Sequence, residues 1–324
     1  MNSYKIKKKF YILAVLDDRI GNRNQLFAIL NELDLPYKTL DIKYNCLANL
    51  PNFILQIFGG YLHVRNFDIK KIKTKPNLIL SCGRRTFPLA SKLKYLFSET
   101  PYFIHLMYPK LSLNIKRCNL IFTPFHDNVK KSENIIKTLG SPAPLDIIKV
   151  KKNPYKTKPI ISILIGGNHG RFKLRCNTIN YMITETLNKI NQGSILISTS
   201  RRTPDNIINL IDKWGKKNNV FKIIFHPKNN SEANPLKEMI TYADEFVVTG
   251  DSVSMISQLC QYEKPVRIIF SKKFCATKHI KFCKKLIEKG YAYPFESLLK
   301  KCVNIKTLNT TKKISKKILS IIKQ

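Results

Sequence analysis

The sequence predicts an α/β fold made of two doubly wound domains. Apolar runs of strand length alternate with longer segments of helical period, and most of the runs end in a turn signal. This alternation is typical of a parallel sheet with helices on both faces. The chain has 324 residues, of which 44% are hydrophobic, and a chain of that length usually divides into more than one domain. We therefore expect two domains of similar size with a cleft between them.

Ten apolar runs are strand candidates, five in each half of the chain. Those of the first half are residues 11–16, 37–40, 78–81, 102–107 and 120–123. Those of the second half are residues 160–165, 194–198, 222–225, 245–249 and 266–270. Basic residues precede the first run, but the run stops at Asp17 and is too short for a signal-peptide core or a membrane span. We interpret it as the first buried strand.

The composition between the two halves predicts a domain boundary near residue 150. Residues 141–144 and 151–159 are rich in proline and charge, as inter-domain linkers are. We assign residues 1–150 to an N-terminal domain and residues 151–324 to a C-terminal domain that ends in a basic amphipathic helix. That helix is expected to dock on the domains or on an anionic membrane. A second amphipathic segment, residues 47–63, has a spacing that favours packing against the core over contact with membrane or substrate.

The charge of the chain is strongly positive. It has 57 Lys and Arg against 21 Asp and Glu, a formal net charge of +36. Such a surplus attracts nucleic acid, anionic lipid or a phosphorylated substrate, although lysine scattered among Asn and Ile is also what an AT-rich genome encodes. Both origins stay open. The eight cysteines have neither metal-ligand nor disulfide spacing, so we expect a reducing cytoplasm and no structural zinc.

Two strand ends in the second half predict an anion site. Residues 199–204 follow one apolar run and residues 249–255 follow another, and both are rich in small hydroxyl side chains. In α/β proteins such strand ends direct backbone N–H groups and a helix N-terminus at an anion. We therefore expect a phosphate-bearing ligand here. A helix N-cap without further function is the alternative for Asp251 and Ser252, and their place directly after a strand favours binding.

Six short motifs give the chain a specific family resemblance. They are D-x-x-x-G-N-x-N-Q from Asp17, G-R-R-T from Gly83, P-x-H-D from Pro124, I-G-G from Ile165, T-S-R-R-T-P from Thr199 and T-x-D-S-V-S-M from Thr249. In order and spacing they resemble the mitochondrial fission family, which is named for the plant elongated-mitochondria protein. Its many bacterial members are regarded as glycosyltransferases of the GT-B type. The resemblance covers roughly residues 11–295 and implies two Rossmann-like domains.

The resemblance also implies which residues hold the donor. In a two-domain transferase the C-terminal domain binds a nucleotide-sugar, whose pyrophosphate rests on small-residue loops and faces cations. The corresponding donor or phosphate contacts are Gly166, Gly167, Thr199, Ser200, Arg201, Arg202, Asp251, Ser252, Ser254 and Gln258. Many enzymes of this type carry Glu at the position of Gln258 to bind the ribose. An amide can still hydrogen-bond a hydroxyl, but it changes the donor site.

The N-terminal domain is implied to hold the acceptor. Its candidate residues are Gly21, Asn22, Gln25, Arg84, Arg85 and His126. An inverting transferase needs a base for the acceptor hydroxyl, and a carboxylate at the end of the first strand suits that role. Asp17 is our candidate, while a turn- or cap-forming role is equally open. We interpret Arg84 and Arg85 as ligands of a phosphate or acidic acceptor group in preference to a structural ion pair.

We therefore expect a metal-independent glycosyltransferase that moves a sugar from a nucleotide-sugar to a membrane-associated glycan or glycolipid, for instance a lipopolysaccharide core. No cofactor is expected, and no metal, because no D-x-D motif occupies a donor position. A non-catalytic protein that recruits membrane-remodelling partners is the alternative. Nucleic acid is not an expected partner, since only charge suggests it. The expected location is the cytoplasm, with peripheral contact to an anionic membrane at its inner face left open.

Overall fold

The chain folds into two compact units, each with its own hydrophobic core. A computed structural model describes residues 10–65, 67–68, 72, 74–127, 129–145, 152–190, 192–229, 233–302 and 304–323. The first unit contains Met1–Pro144 together with Asn309–Gln324, and the second contains Leu145–Leu308. The sequence predicts a boundary near residue 150, and the units divide after Pro144.

The first unit is built on a six-stranded parallel sheet with the strand order β2-β1-β3-β4-β5-β6. Its strands are β1 (Ile12–Leu16), β2 (Tyr37–Asp41), β3 (Leu78–Cys82), β4 (Tyr102–Leu106), β5 (Leu120–Pro124) and β6 (Ile135–Thr138). Its helices are α1 (Ile20–Leu33), α2 (Asn52–Ile57), α3 (Phe87–Leu96) and α9 (Thr310–Ile322). Helices α1 and α9 pack on one face of the sheet and α3 packs on the other. Strands β1 and β3 are buried along their whole length because both of their faces are covered.

The second unit repeats this architecture with the strand order β12-β11-β10-β7-β8-β9. Its strands are β7 (Ile160–Leu164), β8 (Ser194–Ser198), β9 (Phe221–Phe225), β10 (Glu245–Thr249), β11 (Val266–Ile269) and β12 (Tyr293–Pro294). Its helices are α4 (Cys176–Lys189), α5 (Asp205–Lys217), α6 (Leu236–Tyr242), α7 (Val253–Leu259) and α8 (Thr277–Glu288). Ile179 of α4 and Ile207 of α5 pack on one face of the sheet, and Met239 of α6 packs on the other.

All ten predicted strands are present, and two further strands were not predicted. The additional strands, β6 and β12, lie at the edges of their sheets. β6 is only partly buried, and β12 is two residues long and ends in a proline. An edge strand needs no continuous apolar run, so neither leaves the sequence signal that a central strand does.

The C-terminal helix corrects the domain assignment, because it belongs to the first unit. Ile314 and Ile318 of α9 are buried in the core that α1 shares with the first sheet. At the start of the helix, Thr310 Oγ1 donates to the carbonyl oxygen of Leu139 at 2.5 Å, and Thr311 Oγ1 donates to that of Ala143 at 3.0 Å. The chain therefore returns to its first unit after the second is complete.

The segment 47–63 also differs from the expectation that it packs against the core. Its helix α2 has only six residues, begins after Pro51 and is followed by Gly59 and Gly60 with positive φ. So short a helix cannot bury the whole apolar stripe, and the side chains of Ile57 and Phe58 are 65% and 62% exposed. In the described parts of the chain, no helix has the length and apolarity needed to cross a membrane.

Candidate functional site

Each sheet has a switch point where the strand order reverses, and the predicted site residues concentrate there. In the second unit, β7 lies between β8 and β10, so the connections after β7 and β10 leave the sheet in opposite directions. In the first unit, β1 lies between β2 and β3 in the same way. In open α/β sheets, ligands bind at the carboxyl ends of the strands at such a point.

A buried aspartate organises the switch point of the second unit. Asp251, with a side chain 1% exposed, follows β10 and accepts the N–H of Gly167 at 2.9 Å. Thr249 Oγ1 accepts the N–H of Gly166 at 2.7 Å and donates to Asp251 Oδ1 at 2.7 Å. A Cβ atom at Gly166 would overlap both carboxylate oxygens of Asp251. Gly166 therefore admits Asp251, and the N–H groups of both glycines, expected to face phosphate, are engaged within the protein.

Arg202 joins the loop after β8 to this aspartate. Its Nη2 donates to Asp251 Oδ2 at 3.1 Å and its Nη1 donates to the carbonyl oxygen of Asn168 at 3.0 Å. The backbone of Arg202 also occupies the space that a side chain at Gly167 would need. The Arg202 side chain remains 42% exposed, and the neighbouring Arg201 is exposed. Two guanidinium groups thus reach solvent beside Asp251, and one of them, Arg202, is already paired with its carboxylate.

The hydroxyl residues of the β8 loop hold the loop in shape. Thr203 Oγ1 accepts the N–H of Ser200 at 2.9 Å and donates to the carbonyl oxygen of Gly166. Ser200 Oγ accepts the N–H of Arg202 at 3.2 Å. Thr199 Oγ1 lies 3.0 Å from His226 Nδ1, and His226 Nε2 lies 3.0 Å from Asp212 Oδ1. Neither His226 nor Asp212 was predicted. His226 follows a different strand, β9, and Asp212 lies on α5, and neither belongs to a local motif.

Of the predicted residues, Ser252 directly precedes helix α7, and Ser254 and Gln258 lie on it. Ser252 is the residue before the helix and makes no side-chain capping hydrogen bond, so the capping alternative is not what the structure shows. Ser254 is exposed in the first turn, and Gln258 is half-buried one turn further along. The Ser252 and Ser254 hydroxyls are placed beside the Asp251 loop.

A pair of stacked histidines lies next to the cationic residues of this site. His169 follows the glycine loop and its ring stacks on that of His279 with the centroids 5.1 Å apart. Burial lowers the pKa of His169, and the positive charges of Lys278 and Arg202 lower it further. Neither histidine was predicted, because the two are 110 positions apart and belong to no motif.

In the first unit, the buried aspartate at the switch point is Asp17, which directly follows β1. Its side chain is 1% exposed. Asn22 Nδ2 donates to Asp17 Oδ2, and Arg85 Nη2 donates to Asp17 Oδ1 at 3.3 Å. Gly83 has a φ of +92°, and a Cβ atom there would overlap Asn22 and come within 2.9 Å of Asp17. Both carboxylate oxygens of the candidate base are therefore engaged.

Arg85 pairs with both aspartates that follow β1. Besides Asp17, it forms an ion pair with Asp18, whose side chain is 46% exposed, and it lies 4.3 Å from the ring centroid of Tyr44. Burial raises the pKa of Asp18 and its hydrogen bond with Asp17 raises it further, while Arg85 acts in the opposite direction. Burial also raises the pKa of Tyr44. Arg85 is thus held by structural ion pairs, the reading that the sequence analysis did not prefer.

Arg84 binds backbone carbonyl groups of the segment before α2. Its Nη1 donates to the carbonyl oxygen of Leu50 and its Nη2 to that of Ala48, both at 2.6 Å. The amide of Asn52, which is fully buried, donates in return to the carbonyl oxygen of Arg84 at 2.9 Å. Burial lowers the pKa of Arg84, and the nearby Arg85 contributes. The guanidinium therefore fixes this segment.

The remaining predicted residues of the first unit lie at different depths. Asn22 and Gln25 are buried on α1, where Gly21 is exposed and has open space around its Cα. His126 follows β5, two strands away from β3, and packs its ring edge-on against Phe125 with the centroids 5.6 Å apart. His126 is not brought to the switch point with Asp17.

The fold and its two switch-point sites define a class of protein, the α/β proteins with two Rossmann-like domains of the GT-B type. Solved structures share this fold across nearly the whole chain. The S. aureus MnaA–UDP structure has a TM-score of 0.57 at 11% identity and covers 97% of this chain and 96% of its own. A glycosyltransferase from Rickettsia africae has a TM-score of 0.50 at 11% identity and covers 98% and 99%.

The chain belongs to the mitochondrial fission ELM1 family. The sequence model of that family matches residues 20–322. An uncharacterized protein of Rickettsia prowazekii is 30% identical, with 96% of this chain and 98% of that protein covered. Family membership extends the resemblance seen in the six motifs to nearly the whole chain.

Proposed function

We propose that the second unit binds a nucleotide-sugar and that the protein transfers the sugar to a membrane-associated glycan or glycolipid. One observation carries this proposal: Gly167, Arg202 and Asp251, from three loops far apart in sequence, form one hydrogen-bonded group at the switch point of the second sheet. Ligands of this fold class bind at such a place. The fold that this chain shares with the MnaA–UDP structure, together with its family membership, supports a nucleotide as the ligand.

The charges around this group suit a diphosphate. Asp251 is neutralised by Arg202 and by the N–H of Gly167, so it does not repel an anion in full. Because Arg202 offsets the charge of Asp251, the net positive charge that reaches solvent here comes from Arg201 and Lys278. Cations at this position would oppose the charge that develops on a leaving nucleoside diphosphate. We propose that these side chains do so without a metal ion.

The acceptor base is proposed to be one of the two aspartates after β1. Asp17 has both oxygens engaged by Arg85 and Asn22, which suits a residue that positions Arg85. Asp18 also pairs with Arg85, but it is partly exposed, and burial and its hydrogen bond with Asp17 raise its pKa. A carboxylate base works better when its pKa approaches the operating pH. We therefore propose that Asp18 is the base and that Asp17 positions Arg85.

Calorimetric titration with UDP, GDP, ADP and TDP and with their sugar conjugates tests the donor site. We expect one nucleotide to bind and Arg201→Ala to weaken its binding about tenfold, the loss of one charge-assisted contact. Lys217→Ala is the matched control, since it removes one exposed cation at the far end of α5. If no nucleotide binds, or if both variants weaken binding equally, the proposed donor site is wrong.

The non-catalytic alternative is favoured by one residue, Gln258. It stands on α7 where many enzymes of the GT-B type carry Glu, and it is half-buried. A protein with this site could bind a nucleotide-sugar and recruit membrane-remodelling partners without transfer. Release of nucleoside diphosphate on addition of a membrane glycolipid extract separates the two functions. Turnover that is lost in Asp18→Asn supports the transferase, and tight binding without turnover supports recruitment.

A further inference from the structure

An exposed apolar surface lies on the first unit, and none of its side chains is among the residues that the proposed function uses. We call it the apolar face and define it by the exposed side chains of residues 47–62 together with Leu111 and Leu113. Of the fifteen large hydrophobic side chains exposed among the described residues, nine belong to it. Ile57, Phe58 and Leu111 are the most exposed of them, at 65%, 62% and 67%. Large apolar side chains concentrated in this way mark an interaction surface.

The apolar face is held rigidly by polar contacts beneath it. The N–H of Phe53 donates to the carbonyl oxygen of Leu111 at 2.7 Å, which ties the two parts of the face together. Gln56 forms two further hydrogen bonds with the backbone of Leu113, at 2.9 and 2.6 Å. Arg84 binds the carbonyl groups of residues 48 and 50 from below. These hydrogen bonds satisfy backbone groups of the segment inside the protein, so its apolar side chains can be exposed without leaving those groups unpaired.

The charge pattern identifies the chemistry of the partner. Residues 45–62 contain no charged residue, in a chain where 24% of residues are charged. Residues 42–67 and 100–126, which contain the two parts of the face, contain no Asp or Glu. Exposed cations flank it instead: Lys43, Arg65, Lys110 and Lys116. An apolar centre whose nearest charged residues along the chain are all cations matches a surface that is apolar inside and anionic at its rim.

We propose that the apolar face inserts into the interfacial region of an anionic lipid bilayer. The apolar side chains would enter the boundary between headgroups and acyl chains, and the flanking cations would meet anionic headgroups. A second copy of this chain fits less well, because it would bring the same cationic border against itself. The proposal rests on the first unit alone and does not depend on nucleotide binding.

Co-sedimentation with lipid vesicles tests the proposal. The neutral probe is a vesicle of phosphatidylcholine alone. The anionic probe adds about 30% phosphatidylglycerol, a lipid whose negative charge attracts surface cations. We expect the full chain to bind the anionic vesicles and Phe58→Ser/Leu111→Ser to lower the partition coefficient at least tenfold. Tyr181→Ser, which removes an exposed aromatic ring from α4 of the second unit, should leave it unchanged. Circular dichroism checks that each variant is folded.

A tryptophan probe reports insertion directly. The chain has a single tryptophan, Trp214 in the second unit, so Phe58→Trp adds one reporter in the apolar face. Brominated lipids should quench its emission in anionic vesicles and leave Trp214 of the unsubstituted protein unquenched. Equal binding by the double serine variant, no quenching of the new tryptophan, or equal binding to neutral vesicles would each overturn the proposal. Loss of a dimer in light scattering by the double variant would overturn it in favour of a second copy.

Discussion

At the scale of single residues, Gly83 and Gly166 have the same relation to a buried aspartate, although they follow different strands of the two switch points, β3 and β7. Each stands at a switch point and faces a buried aspartate, Asp17 in the first unit and Asp251 in the second. In both cases a side chain at the glycine would displace the carboxylate or its partner. The aspartate and the glycine therefore act together, because the lack of a Cβ atom lets the carboxylate reach the hydrogen-bond donors around it.

We expect Gly83→Ala to destabilise the first unit by about 1–3 kcal/mol. The new Cβ atom would overlap Asn22 and force a backbone with φ of +92° on a residue that avoids it. Hydrogen exchange of the β1 and β3 amides measures the change in the free energy of unfolding. Gly21→Ala is the control in the same unit, since its Cβ would meet nothing within 4 Å and alanine favours the helix by up to about 1 kcal/mol. Equal losses in both variants would contradict this account.

At the scale of secondary-structure elements, α9 shows how far along the chain the first unit extends. The helix is 13 residues long, and its buried side chains belong to the core of a sheet whose last strand ends at Thr138. The exposed lysines of the helix alternate with these buried positions. The amphipathic pattern therefore reflects packing on α1, and the helix closes the first unit after the whole second unit.

We expect Ile318→Ala to destabilise the first unit by about 2–5 kcal/mol and to leave the second unchanged. Ile318 is fully buried, and truncation of a buried isoleucine removes apolar contact and leaves a cavity. Hydrogen exchange of the first sheet should report the loss, while the fluorescence of Trp214 in α5 should show an unaltered unfolding transition. Lys316→Ala on the exposed side of the same helix should change either by less than about 0.5 kcal/mol. If Ile318→Ala shifted the unfolding transition of Trp214, the assignment of α9 to the first unit would be wrong.

Central elements could be predicted from the sequence, and elements defined by distant contacts could not. β1, β3, β7 and β10 are covered on both faces, so each leaves an apolar run that identifies it. The docking of α9 could not be predicted because its periodicity shows only that one side is buried. The exposure of residues 47–62 depends on Pro51 and on Arg84, and the latter contact spans more than thirty positions.

The candidate site was predictable in position but less so in the role of each residue. Strand ends with small hydroxyl residues indicated the loops around Asp251, and the structure brings these loops together. The roles of Arg84 and Arg85 depend on the carbonyl and carboxylate groups that fold against them. A guanidinium binds carboxylate, carbonyl and phosphate oxygen with similar geometry, so its sequence neighbours do not reveal which partner it has.

At the scale of the whole molecule, the positive charge is distributed unevenly. The formal net charge is +36, yet residues 45–62 carry none of it. If the lysines reflected genome composition alone, some would be expected in an exposed segment such as this one, because surface positions tolerate charge. The uncharged segment therefore indicates a constraint on that surface. The positive charge of the rest of the molecule attracts anionic surfaces and ligands over long range, which favours their approach both to the apolar face and to the site around Arg201.

The division into two units predicts which part of the molecule a nucleotide stabilises. The proposed donor contacts, Gly167, Arg202 and Asp251 among them, belong to the second unit. A ligand present at one hundred times its Kd raises the free energy of unfolding of the state that binds it by about 2.7 kcal/mol. The bound nucleotide should therefore raise the urea midpoint reported by Trp214 and leave hydrogen exchange of β1 and β3 unchanged. Arg201→Ala should reduce the shift at the same nucleotide concentration, and Lys217→Ala should keep it. Protection of β1 and β3 without a shift at Trp214 would assign the nucleotide to the first unit.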